Sequence, residues 1–178
     1  SRWAFEAYMV SQFKDNPFEK QFYEFDKKEA QAEYKRIYYL PALDSKLAYV
    51  LLHRSQWKDN SDNNKVKQSL KLLHDEIQHE LSLVGEDKFP ELEKLAIGKI
   101  DSVTLTKTAT FLSTLKKYYN LRINNAIQDK EKLILAQTKT PEEMTAFNEM
   151  KLKYQNESVT QLVENSTSPV RIVEWKGK

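Results

Sequence analysis

Residues 66–84, VKQSLKLLHDEIQHELSLV, carry a regular hydrophobic pattern that indicates an α-helix. Apolar side chains recur at steps of three and four residues, which places them on one face of a helix. The members of this face are Val66, Leu70, Leu73, Ile77, Leu81 and Val84. The sequence therefore predicts a helix here that buries this face in a helical domain.

The same period continues towards the C-terminus. A long face over residues 101–137 comprises Leu105, Leu112, Leu115, Tyr119, Ile123, Ala126, Ile127 and Ile134. A third face comprises Met144, Phe147, Met150 or Lys151, Tyr154 and Leu162. Residues 2–14, 17–39 and 44–57 are also predicted to be helical, with Pro41 breaking the chain between the last two segments. Residues 170–175 are the one stretch predicted to be extended.

Capping signals mark where these helices begin and end. Asn16-Pro17-Phe18-Glu19 and Thr140-Pro141-Glu142-Glu143 each combine a capping residue, a proline and a glutamate in the order that helix N-termini favour. Asp44 and Asp101 are predicted as single caps. The predicted stops are residues 60–64, Gly85, Gly98 and residues 165–169.

These signals predict an all-α fold. We expect a helical bundle of about six helices, with at least two long antiparallel helices and a short N-terminal aromatic-rich helix. The predicted organisation is an N-terminal aromatic helix at residues 1–14, the bundle at residues 15–168 and an extended tail at residues 169–178.

Composition agrees with this fold and excludes several classes of protein. The 178 residues include three glycines, which leave few positions for tight hairpins, and no cysteine. Without cysteine there is no disulfide, thiolate zinc site or cysteine nucleophile. A formal net charge of +2, with acidic and basic residues interleaved, argues against nucleic acid as a partner. The longest apolar run, residues 47–52, is far shorter than the roughly 20 residues that span a bilayer.

The segment HDEIQHE at residues 74–80 has the residue types of a metal site. Its histidines are five positions apart, so they lie roughly 140° apart around a helix, whereas zinc proteases place theirs four apart on one face. We interpret the segment as the solvated border of a core helix, with His74, His79 and Glu80 as the candidate metal ligands. His53 is solitary and is interpreted as a packing or capping residue. With neither a phosphate-binding glycine loop nor a nucleophile elbow, the sequence predicts no cofactor and no catalysis.

Tyr34, Tyr38 and Tyr39 belong to an aromatic-rich segment that begins at Phe22. Aromatic side chains bury large areas while a tyrosine hydroxyl keeps contact with water. We therefore expect them to anchor the connections between helices. A ligand-binding aromatic box is the alternative, and the three tyrosines are the candidate interaction surface.

Residues 1–13, SRWAFEAYMVSQF, differ in character from the other predicted helices. Bulky residues lie on nearly every face, whereas a bundle helix shows one apolar stripe. Such a helix is either buried in the bundle or lies at a membrane interface, where Trp, Tyr and Arg are favoured.

Arg2-Trp3-Ala4-Phe5-Glu6-Ala7, followed by Gln12-Phe13, resembles a segment of ABC-2-type permeases, in particular those of the White (G) subfamily of ABC transporters. In that family the segment follows the fifth transmembrane helix, forms part of a re-entrant hairpin and leads into the external loop before the last helix. The resemblance implies that the chain is that loop, enlarged into a helical domain at the extracytoplasmic face of a membrane. The chain would then be a fragment of an integral membrane protein whose other parts bind ATP.

The residues that the resemblance assigns to contact with lipid head groups or the transmembrane domain are Arg2, Trp3, Phe5, Tyr8 and Phe13. The first functional hypothesis is accordingly a non-catalytic extracytoplasmic domain of an ABC exporter. It would act as a lid, a docking surface or a homodimer contact, with the membrane surface and its own transmembrane domain as partners. The second is a freestanding helical protein–protein interaction module. The least favoured is a metal-dependent enzyme or helical hydrolase built on residues 74–80.

Overall fold

The computed structural model describes residues 3–4, 7–8, 11, 15–59, 61 and 64–155, and over these ranges the secondary structure is helical, with no strand. The predicted all-α class is confirmed. The α-helices are α1 (Tyr23–Tyr34), α2 (Leu40–Leu52), α3 (Lys65–Val84), α4 (Ser102–Gln137) and α5 (Pro141–Tyr154). A π-helical turn, Lys35–Tyr39, joins α1 to α2. Short 3-10 turns occupy Glu19–Gln21, Arg54–Gln56, Glu86–Lys88 and Leu92–Lys94.

The expected number of about six helices is too high for the described part of the chain. Residues 23–52 form one continuous helical segment through the π-helical turn, so four helices account for the described residues from 15 to 155. Pro41 does not break the chain, because it lies in the first turn of α2, where a missing N–H costs little. Asp44 lies inside α2 and caps no helix, contrary to the prediction.

Three predicted N-terminal caps are confirmed by their hydrogen bonds. Asp101 Oδ1 accepts from the backbone N–H of Thr104 at 2.6 Å and begins α4. Thr140 and Glu143 form a reciprocal capping box at the start of α5. Asn16 Oδ1 accepts from the backbone N–H groups of Phe18 and Glu19, in the turn that leads into the 3-10 turn Glu19–Gln21.

The predicted face of α3 is buried along most of its length. The buried members are Val66, Leu70, Leu73, Ile77 and Leu81, while Val84 is half-buried. On α5 the predicted face is largely in solvent: Phe147 and Tyr154 are half-buried, and Met144 and Met150 are exposed. Leu162 and the predicted tail at residues 169–178 lie outside the described residues.

Contacts divide the chain into two compact units. The central unit is Arg36–Tyr118, and the terminal unit combines Ser1–Lys35 with Tyr119–Lys178. In the central unit α2 packs on α3, and two of the 3-10 turns, Glu86–Lys88 and Leu92–Lys94, also contact α3. Its core is made of aliphatic side chains from all three of its helical regions, such as Leu40, Leu73 and Leu105.

The terminal unit is organised around an aromatic cluster of Phe18, Phe22 and Phe147. The Phe147 ring meets the edges of the other two, with centroids 5.2 Å and 6.4 Å away. Lys130 on α4 donates to Asp26 on α1 at 2.6 Å and also lies over the Phe22 ring. These contacts connect α1, α4 and α5 within this unit.

Candidate functional site

A cavity of about 670 Å³ lies in the central unit. It is an open groove between the C-terminal turn of α3, the segment at residues 85–91 and residues 107–118 of α4. We call it the α3–α4 groove. Its lining consists of Leu83, Val84, Lys88, Phe89, Glu91, Lys107, Thr110, Phe111, Thr114, Leu115 and Tyr118.

The floor of the α3–α4 groove is apolar and well ordered by packing. Phe89, Phe111 and Leu115 are all buried, with at most 8% of any of them exposed. The Phe89 and Phe111 ring centroids are 5.1 Å apart, a spacing at which aromatic pairs attract beyond simple burial. Leu83 and Tyr118 are exposed large side chains that extend this apolar surface towards solvent.

Gly85 determines how the chain enters this site. It ends α3 with φ = +117°, and its N–H donates to the carbonyl of Leu81. Residues other than glycine rarely adopt this backbone conformation, because their Cβ would clash with neighbouring backbone atoms. The turn at Gly85 is followed by the 3-10 turn Glu86–Lys88, which brings Phe89 into the core.

An ion pair lies at the rim of the α3–α4 groove. Lys107 on α4 donates to the carboxylate of Glu91, which lies 16 positions earlier in the sequence. The hydrogen bond from Lys107 lowers the pKa of Glu91 below its ordinary value of 4.5. The pair therefore stabilises the fold at neutral pH, and this contribution is lost as the pH falls below 4.5 through the lowered pKa.

A second lysine and two threonines complete the rim. Lys88 pairs at 3.1 Å with Asp87, which does not line the groove. The Thr110 and Thr114 hydroxyls donate to carbonyls one turn back on α4, at 3.0 Å and 2.9 Å. The threonine hydroxyls are thus used within α4, and the charged groups at the rim form two ion pairs, Lys88 with Asp87 and Lys107 with Glu91. The arrangement suits binding of a mostly apolar molecule.

A smaller cavity of about 420 Å³ lies between α2 and α3. Its lining is more polar and consists of Lys46, Tyr49, Lys65, Gln68, Ser69 and Leu72. The imidazole of His53 stacks on the Tyr49 ring at 4.0 Å and bonds the Tyr49 carbonyl at 2.8 Å. These are the contacts of a packing residue at the end of α2.

The candidate metal ligands predicted from the sequence lie in different environments on α3. Glu80 is fully buried, whereas His79 is exposed. His74 lies near two carboxylates, with Nδ1 3.2 Å from Asp75 and Nε2 3.7 Å from Glu93. Across the residues that the structure describes, no three histidine, aspartate or glutamate side chains are grouped closely enough to hold a metal ion.

The three candidate tyrosines have different environments. Tyr34, at the end of α1, and Tyr38, in the π-helical turn, are exposed. The Tyr39 side chain is half-buried, and its hydroxyl donates to the Glu76 carboxylate of α3 at 2.8 Å. Tyr39 is therefore a packing residue that joins the π-helical turn to α3.

Two of the five predicted membrane-contact residues fall within the described residues. Trp3 and Tyr8 are helical, and they are 78% and 47% exposed. Arg2, Phe5 and Phe13 lie outside the described residues. A search of the described helices found none that is both long enough and apolar enough to cross a bilayer.

The sequence pattern did not identify the α3–α4 groove. Glu91 belongs to the charged stretch at residues 91–94, and Lys107 is a single charge among threonines and apolar residues. Nothing local predicts that they pair. Phe111 lies one position before Leu112 of the predicted face, and its burial depends on Phe89 from another segment.

Comparisons with known proteins supply no assignment for this site. The scan against protein-family models, the search of curated proteins and the search of solved structures each found no match.

Proposed function

We propose that the chain is a non-catalytic helical domain at the extracytoplasmic face of a membrane, and that it serves an ABC exporter as a lid or docking module. The observation that carries this proposal is the exposure of Trp3 and Tyr8 in the segment that resembles the permease family. A Trp side chain that is 78% exposed leaves a large apolar surface in contact with water, which is unfavourable unless another molecule covers it. Trp and Tyr are the side chains that favour membrane–water interfaces.

The test is co-flotation of the chain with vesicles of phosphatidylcholine and phosphatidylglycerol. We expect the chain to float with the vesicles and the Trp3→Ala/Tyr8→Ala variant to lose most of this association, because the aromatic anchors are gone. Leu52→Ala is the matched control, since Leu52 is 80% exposed but lies at the end of α2. The proposal would be contradicted if the original chain did not float, or if the Trp3→Ala/Tyr8→Ala variant floated as well as the Leu52→Ala control.

A freestanding protein–protein interaction module is the second candidate. The observation that favours it is the exposure of Ile37 and Tyr38 in the π-helical turn, a geometry that occurs frequently at functional sites. The two candidate functions can be distinguished in cells by replacing either Tyr38 or Tyr8 with a photo-crosslinking residue. A discrete protein adduct from position 38, with none from position 8, would favour the interaction module, whereas lipid or permease adducts from position 8 would favour the exporter domain.

A further inference from the structure

The α3–α4 groove combines three properties that together define a class of ligand. Its volume of about 670 Å³ falls inside the range of roughly 300–1,000 Å³ that small-molecule sites occupy. Its floor is formed by Phe89, Phe111 and Leu115, which are fixed by packing before any ligand arrives. A preformed apolar floor reduces the ordering cost that binding would otherwise incur.

The two lysines at the rim indicate the polar end of the ligand. Lys88 and Lys107 both line the groove, and Glu91 is its single acidic lining residue. Glu91 is hydrogen-bonded to Lys107, which lowers the pKa of this carboxyl below its ordinary value of 4.5. Lys88 and Lys107 each hydrogen-bond one carboxylate, that of Asp87 and that of Glu91 respectively. An ammonium group carries three N–H donors, so each lysine retains donors from which the carboxylate of a ligand at the rim could accept.

We propose that the α3–α4 groove binds an amphiphile with an aliphatic chain and a single carboxylate, of the fatty-acid type. The aliphatic chain of the ligand lies over the Phe89–Phe111 floor, and its carboxylate lies at the rim beside Lys88 and Lys107. The side chains of the floor are aliphatic and aromatic, so they shield the ligand's aliphatic chain from water and form no hydrogen bond with it. This inference does not depend on the exporter proposal, since every lining residue belongs to the central unit.

The first experiment measures binding by isothermal titration calorimetry with decanoate, below its micelle concentration. We expect one decanoate per chain and weak or no binding of decyltrimethylammonium, which has the same chain length and the opposite charge. The Lys88→Gln/Lys107→Gln variant should bind decanoate about tenfold more weakly, because two charge-assisted hydrogen bonds are lost. Equal binding of the two amphiphiles would overturn the assignment of the polar end.

The second experiment locates the site with a bulky substitution. Thr114→Trp fills the α3–α4 groove from an exposed position of α4 and should weaken decanoate binding about tenfold or more. Ser113→Trp is the matched control, because Ser113 is the exposed neighbour of Thr114 and does not line the groove. We expect it to bind like the original chain, and circular dichroism checks that both variants are folded.

Two results would refute the proposal. One is decanoate binding that Thr114→Trp leaves unchanged, which would place the ligand elsewhere. The other is a concentration-dependent dimer in light scattering that Thr114→Trp abolishes while decanoate has no effect, which would assign the α3–α4 groove to a second copy of the chain.

Discussion

Asn64 connects the start of α3 to the turn before it. Its Oδ1 accepts from the Val66 N–H at 2.8 Å, and its Nδ2 donates to the carbonyls of Gln56 and Asp59 at 2.9 Å and 2.6 Å. The side chain is buried, so each of these bonds satisfies a group that water reaches poorly. Asn64 thus acts both as a helix cap and as the connection between α2 and α3.

We predict that Asn64→Ala lowers the free energy of unfolding by about 2 kcal/mol, since it removes a cap and two further hydrogen bonds. Asn64→Asp should lose a similar amount, because a carboxylate retains the cap but cannot donate to two carbonyl oxygens. Thr140→Ala, at the more exposed cap of α5, should cost only about 1 kcal/mol. Urea unfolding measures all three, and an Asn64→Asp variant as stable as the original chain would show that the amide donors contribute nothing.

Single residues also show where sequence reasoning succeeds and where it does not. The caps at Asp101 and Thr140 were predictable because each bonds to a backbone N–H three residues away. The burial of Glu80 was not predictable, because its place on the edge of the apolar face suggested a solvated side chain. The Glu91–Lys107 pair was not predictable either, because its two residues come together only when α4 packs in the folded protein.

At the scale of elements, α3 and α4 were predicted almost to the residue and the region before α2 was not. The period of three and four extends along α3 and over most of α4. Asn64 and Gly85 bound α3, and Asp101 caps the start of α4. Pro41 suggested a break, but a proline in the first turn of a helix requires no partner for its nitrogen. The π-helical turn directly precedes this first turn, and the helical segment continues through both.

The two described glycines offer a matched pair for testing how elements end. A Cβ at Gly85 would lie 2.9 Å from Asp87 Oδ1 at φ = +117°, whereas one at Gly98, at φ = +77°, would meet nothing within 4 Å. We predict that Gly85→Ala costs about 2 kcal/mol or more, because a residue with a side chain is strained at φ = +117° and ψ = +129°, whereas the exposed Asp87 side chain can move away from the new Cβ. Gly98→Ala should cost about 1 kcal/mol, from strain alone. Equal losses in thermal unfolding would contradict this account of the end of α3.

At the scale of the whole molecule, each unit has its own buried cluster. Leu73 is fully buried in the central unit, while Phe147 packs on two other rings in the terminal unit. The sequence predicted apolar faces but not this division, because both units draw on residues of the same helix, α4. Hydrophobic periodicity shows which side of a helix is buried, and it carries no information about which cluster the side chains join.

We predict that substitutions in the two clusters act on different amides. Leu73→Ala should cost about 3 kcal/mol and lower hydrogen-exchange protection mainly in α2 and α3. Phe147→Ala should cost about 2 kcal/mol and lower protection mainly in α1 and α5. A uniform loss of protection after either substitution would show that the described helices open as one cooperative unit.

The threonines of α4 have a consequence for the curvature of that helix. Thr106, Thr108, Thr110 and Thr114 each donate a hydroxyl to the carbonyl four residues back. Bonds of this kind bend helices, since a carbonyl that accepts a second donor tilts away from the axis. Two of these threonines line the α3–α4 groove. We expect these bonds to affect the width of the groove through the curvature of α4. Thr106→Ala, at the position before the lining residue Lys107, should therefore change this width without removing a side chain from the lining.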